Sequence, residues 1–100
     1  MAKINWTREA EDWLKKIFDY IAEDNRYAAT RFVTTIYKKA EILTKFPLIG
    51  YQLHDWPNRH IRVLLYGHYR IVYLIKDDEN IDILGVFHGA LNLENYLPKE

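Results

Sequence analysis

The sequence predicts an α+β fold: a short N-terminal strand, an α-helical hairpin packed on an antiparallel β-meander, and a short C-terminal helix or tail. Three observations carry that expectation. Apolar residues recur at helical spacing from Ala10 to Leu43, Ile, Val, Leu and Tyr dominate residues 60–88, and Pro47 and Gly50 separate the two regimes. A chain of 100 residues with 49% apolar content can bury one core, so a single domain over residues 1–100 is expected.

Ala2 to Trp6 reads as a short strand around Ile4 and Trp6. Thr7 can cap the helix that follows over residues 8–23, where Ala10, Trp13, Leu14, Ile17 and Ile21 form the apolar stripe. Glu11 with Lys15 and Asp12 with Lys16 are i,i+4 pairs in the favourable orientation. Asp24 and Asn25 interrupt the pattern and can cap a second helix, with the stripe Ala29, Phe32, Val33, Ile36, Ala40 and Leu43. The connection is short, so the helices form an antiparallel hairpin, with Trp13, Ile17, Phe32, Ile36 and Leu43 expected between hairpin and sheet. Residues 51–59 read as a loop. Strands follow at His60–Tyr66, Tyr69–Lys76 and Ile81–His88; Gly67-His68 suits a type II′ turn between the first two. Residues Leu91 to Leu97 make an apolar and polar tail, a short helix ending before Pro98.

Composition removes several functions. The absence of cysteine excludes disulfides, thiol catalysis and thiolate zinc sites. No signal peptide is apparent and no apolar run approaches the roughly 20 residues a membrane span needs, so a cytoplasmic protein without a membrane partner is expected. The 14 basic and 14 acidic residues balance, and any polyanion site must be local. Residues 54–70 supply Arg59, Arg62 and Arg70 with His54, His60 and His68, either a basic belt or an ordinary solvated surface with core histidines. His54-Asp55 and His60 match no familiar ligand spacing, so no metal and no cofactor is expected.

Strand alternation puts Ile61, Val63 and Leu65 on one face of the first meander strand and Arg62, Leu64 and Tyr66 on the other, and it splits Tyr69, Ile71, Tyr73 and Ile75 of the next strand from Arg70, Val72 and Leu74. Both faces are largely apolar. A hairpin of this size covers one of them, so the other needs the tail, self-association or another protein.

The order of motifs resembles the RelE/ParE toxin superfamily, and its ParE-like branch in particular. The residues concerned span nearly the whole chain: Ile4-x-Trp6, Ala10 and Ile17 with Tyr20-Ile21-Ala22, Ala28-Ala29-x-x-Phe32, Phe46-Pro47-x-x-Gly50, Tyr69-Arg70-Ile71-Val72-Tyr73 and Val86-Phe87-His88-Gly89. The resemblance implies the toxin of a type II toxin-antitoxin system of the plasmid stabilisation kind, neutralised in a hetero-oligomer by a cognate antitoxin that lays helix and extended chain over it. Ile61, Val63, Leu65, Val72 and Leu74 are the expected antitoxin contacts. ParE-like members poison DNA gyrase, whereas RelE-like members cut messenger RNA on the ribosome.

In those nucleases lysines stand at alternate positions of the strand preceding the Tyr-Arg motif, and the resemblance places Ile61 and Val63 there, neither able to stabilise a phosphorane. Arg70 matches the superfamily arginine; its structural alternative is an ion pair with Asp82 on the next strand. ParE-like chains commonly read His-Gly-Ala-Arg where this one has His88-Gly89-Ala90-Leu91. A gyrase-binding surface is expected at Arg59, Arg70, His88, Leu91 and Tyr96. A nuclease would use Arg70, His88 and Tyr96, with His88 as a general base; otherwise His88 is a polar strand end. The substitution at Leu91 also leaves open a degenerate toxin that only binds its antitoxin. Trp6 and Trp13 are read as core residues.

Overall fold

The structure, a computed structural model, describes residues 2–97, so Met1 and the expected stop at Pro98 lie outside it. The elements are β1 (Lys3–Trp6), α1 (Arg8–Ala22), α2 (Arg26–Glu41), β2 (Tyr51–Gln52), β3 (Ile61–Tyr66), β4 (Tyr69–Asp77) and β5 (Asn80–His88). Single 3₁₀ turns occupy Ile42–Thr44 and Leu93–Asn95. Five strands make one sheet in the order β1-β5-β4-β3-β2.

Both helix starts are chemically marked. The Thr7 hydroxyl accepts the Ala10 N–H at 3.1 Å and donates to the Ile83 carbonyl at 2.7 Å, so one side chain caps α1 and ties it to β5. Asn25 caps α2 by accepting from Ala28 N at 3.0 Å. The expected Glu11–Lys15 and Asp12–Lys16 pairs do not form: Lys15 pairs with Asp19 at 2.9 Å, and Lys16 sits 4.8 Å over the Trp13 ring.

The sheet is mixed rather than wholly antiparallel, because β1 runs parallel to β5, with Ile4 beside Ile81 and Trp6 beside Ile83. The β3-β4-β5 meander is antiparallel as expected. Gly67 at φ 58° turns β3 into β4; no other described residue has positive φ, which fits type II′ and excludes type I′. Within the expected loop, Tyr51 and Gln52 form a short edge strand opposite Val63 and Arg62. In β5 Leu84 is a bulge: Tyr73 pairs with Ile83 but Val72 with Gly85, so alternation resets and Phe87 points away from the helices while Val86 points toward them.

The front face meets the hairpin. Ala10, Leu14, Ile36, Ala40 and Leu43 bury Ile71, Tyr73, Ile81, Ile83 and Val86. Ile36 and Leu43 are core residues as expected, while Ile17 and Phe32 are partly buried at the margin. Trp13 does not lie between hairpin and sheet. It packs on Phe87 at 5.0 Å and Tyr96 at 5.1 Å, with the rear cluster.

Of the covers expected for the second face, the rear cluster takes the tail, together with the loop before β3. Ile61, Val63, Val72 and Phe87 are covered by Trp56 from the loop before β3 and by Leu93 and Leu97 from the tail. Of the five expected antitoxin contacts, Ile61, Val63 and Val72 are buried by the chain itself, Leu74 is partly buried, and Leu65 alone is 56% exposed. The β3–β4 register puts all five on one face of the sheet.

Candidate functional site

The β3–β4 turn and the end of β5 converge because Tyr69 pairs with His88. Around that pair lies a cleft of about 510 Å³, lined chiefly by Tyr51, Leu65, His68, Tyr69, Arg70 and His88. The other described residues of its wall are Gly67, Gly89 and Ala90, so no carboxylate among the described residues lines it. On the helix side of the same Tyr69–His88 ridge, Trp13, Ile17, Tyr20, Val86 and Leu91 line a second, more apolar cleft of about 360 Å³.

Arg70 holds the tail in place. It does not meet Asp82, which bonds Asn5 at 3.3 Å and pairs with Lys76 at 3.6 Å; β4–β5 register puts Leu74, not Arg70, opposite Asp82. Arg70 Nη2 instead donates to the main-chain carbonyls of Leu91 and, at 3.4 Å, His88. Its Nε is buried without a partner. The guanidinium therefore anchors the turn that leads into the rear cover, while one side of the group still lines the cleft.

His88 is exposed, stacked on His68 at 6.4 Å and set edge-on to Tyr69 at 5.5 Å. Its Nδ1 accepts the Ala90 N–H at 3.2 Å, which requires that nitrogen to be unprotonated.

The other candidates lie apart. Tyr96 packs on Trp13 and Phe87 and lines a separate depression with Thr7, Glu9 and Leu84. Arg59 precedes β3 at the end of that strand opposite Leu65 and Arg70. Leu91 contributes a carbonyl to Arg70 and its side chain to the apolar cleft. Arg70, His88 and Leu91 thus belong together, and Arg59 and Tyr96 do not join them. Sequence reasoning had set His68 in a turn and Tyr51 in a loop; the Gly67-His68 turn facing the end of β5 is the signal that could have placed the histidine in the site.

The Phe46-Pro47-x-x-Gly50 motif has its own explanation. Buried Tyr73 donates its hydroxyl proton to the Pro47 carbonyl at 2.7 Å and accepts the Gly50 N–H at 3.0 Å. Arg62 Nε donates to the Gly50 carbonyl at 2.7 Å and Nη2 to the Leu48 carbonyl at 3.2 Å. A Cβ on Gly50 would stand 2.5 Å from the Val63 carbonyl oxygen, so only glycine fits. Burial pushes the Tyr73 phenol above its ordinary range, against the smaller opposing effects of the Gly50 N–H and Arg62.

Among the described residues, no cluster of three or more His, Asp or Glu could hold a metal, and no helix is long and apolar enough to cross a membrane. No curated protein matches the sequence significantly. Among solved structures, a chain described as "Chromosomal ParDE TA system from P. aeruginosa" shares the fold, with TM-score 0.70 and 22% identity over 88% of this chain and 96% of that one. The sequence model of the family described as "ParE toxin of type II toxin-antitoxin system, parDE" matches residues 4–93. With nearly its whole described length inside that match, the chain belongs to the ParE toxin family.

Proposed function

We propose that this chain is a cytoplasmic toxin neutralised by a cognate antitoxin, and that it arrests growth by binding DNA gyrase rather than by cutting messenger RNA. The observation that carries the choice of target is the burial of Ile61 and Val63, at 0% and 1% exposure, where the superfamily's nucleases are expected to carry lysines. Scission of RNA needs a group to activate the 2′-hydroxyl and cations to hold the developing phosphorane. Here those positions are apolar and covered, Arg70 is engaged by two carbonyls, the His88 Nδ1 is taken up by the Ala90 N–H and Tyr96 faces elsewhere. A binding poison needs none of that chemistry. It needs an accessible surface, and the Arg70–His88 cleft with the apolar cleft beside it supplies one.

The test pairs two assays on purified toxin: supercoiling by gyrase, and primer extension on translated messenger RNA. Inhibited supercoiling with uncut messages is expected. Codon-phased cuts that disappear in Arg70→Ala, with gyrase unaffected, would overturn the reading. Leu91 in the place of the commoner arginine favours one second reading, a toxin that retains only antitoxin binding. Expression without any growth arrest would decide for it.

A further inference from the structure

Three large apolar side chains stand out from the turn between α2 and β2. Phe46 is 60% exposed, Leu48 61% and Ile49 54%, and none of them belongs to either core cluster. The backbone that carries them is nonetheless tied down on every side. Tyr73 fixes the Pro47 carbonyl and the Gly50 N–H, and Arg62 fixes the Leu48 and Gly50 carbonyls. Ile49 N–H donates to the Phe46 carbonyl at 3.2 Å and closes the turn on itself. These bonds use main-chain groups of residues 46–50, so polar side chains at 46, 48 and 49 would serve the fold as well and would meet water at lower cost. Apolar side chains gathered on the surface among polar ones mark a contact with another protein. A backbone already fixed in place has little freedom left to lose when that contact forms.

We propose that the Phe46–Ile49 turn is an anchor that inserts into an apolar, acid-rimmed pocket on the protein that this toxin targets. The inference rests on the reading above, in which that target is bound and not cut, and it names the contact. Charge selects the rim. Residues 38–52 carry Lys38, Lys39 and Lys45 against a single acid, Glu41. Arg62, bonded to the turn, has two carbonyls and the His60 ring as partners and no carboxylate among the described residues. Position selects the target. Tyr51 follows the turn directly, is 47% exposed and lines the cleft of Arg70 and His88, so anchor and cleft form one continuous surface. A second copy of this chain fits less well, because apposed turns would bring the same cations together with only Glu41 to offset them.

The experiment uses the full chain, purified gyrase and the purified product of the adjoining reading frame. Leu48→Asp places a carboxylate on the turn while leaving the Leu48 carbonyl to Arg62, and Lys45→Glu reverses the rim. Leu48→Asp is expected to raise the concentration that half-inhibits supercoiling by about tenfold, and Lys45→Glu by about threefold. Both should melt with the wild type and bind the adjoining product as tightly. Ile49→Ser takes the place of Leu48→Asp if that variant folds poorly. Undiminished inhibition by a folded turn variant overturns the anchor and leaves the gyrase reading intact, whereas no inhibition by the wild type removes both. An equal loss of binding to the adjoining product gives the turn to that product and overturns the proposal. So does a dimer of the chain alone that Leu48→Asp dissolves, which would give the turn to a second copy.

Discussion

The front and rear of this sheet bury similar side chains under different covers. In front, helices of 15 and 16 residues lay an apolar stripe over Ile71, Tyr73, Ile81, Ile83 and Val86, and the covering residues Ala10, Ile36, Ala40 and Leu43 are all 0% exposed. Behind, Ile61, Val63, Val72 and Phe87 are closed by Trp56, Leu93 and Leu97 at 6–7% exposure, from a loop and a tail whose one regular piece among the described residues is a three-residue turn. A helix that leaves the front must break its ladder and its packing together. The tail has almost no ladder and depends on a few apolar contacts, the Tyr96 rings and the Arg70 bonds. Regions with few buried contacts open first, so the rear should open locally well before the molecule unfolds.

The largest expected effect breaks the front. Ile36→Ala removes a fully buried side chain facing the sheet and should cost about 2 to 5 kcal/mol in denaturant unfolding, with every probe shifting together. A loss below about 1 kcal/mol would place the cooperative core elsewhere.

Tyr73→Phe should come next, at about 1 to 3 kcal/mol, because it leaves the Pro47 carbonyl and the Gly50 N–H without their partner. It also carries a pH signature. Burial raises the folded pKa above the ordinary 10.0, so the stabilisation is fully present below pH 10 and is lost as pH climbs from there through the folded pKa, where the unfolded chain sheds a proton that the fold retains. The variant should therefore show a shallower alkaline loss of stability. Some slope should remain, because burial and then Glu11 also raise Tyr37. Identical alkaline slopes for wild type and variant would show that Tyr73 does not titrate as described.

The front was legible because regular elements repeat. The 3.6-residue stripe of α2 named Ile36 and Leu43, and period-two alternation sorted Ile61, Val63 and Leu65 from Leu64 and Tyr66 before any register was known. The rear was opaque for the same reason. Trp56 and Leu93 cover it from segments with no period, β2 is two residues long and is fixed by Tyr73 and Arg62 from outside itself, and the Leu84 bulge that turns Phe87 to the rear is marked only by Gly85 beside it, where a Cβ would meet the Phe87 ring. The site divided along the same line. Arg70 and His88 were named through the family motifs that their strands carry, Tyr69 only as part of one of those motifs, and the role of Arg70 was missed because its partners are carbonyls of an irregular turn.

The smallest expected effect sharpens the comparison most, because it touches the rear cover alone. Arg70→Gln removes the bonds to Leu91 and His88, but it also removes a buried Nε that has no partner, so the two changes oppose each other. The global cost should be only about 1 kcal/mol. The local consequence should be larger. Amides of Asn95, Tyr96 and Leu97, which are bonded within the tail, and that of Leu91, bonded to the His88 carbonyl at the end of β5, should exchange faster, while those of α1 and α2 keep their wild-type protection. Trp13 should report the same event through its fluorescence, since opening the tail withdraws Tyr96 from its ring. If tail and helix amides accelerate equally, both covers belong to one cooperative unit and Arg70 is an ordinary core anchor. If neither changes, Leu93, Leu97 and Tyr96 hold the tail without it, and the guanidinium is left with only its place in the cleft as a reason to be there.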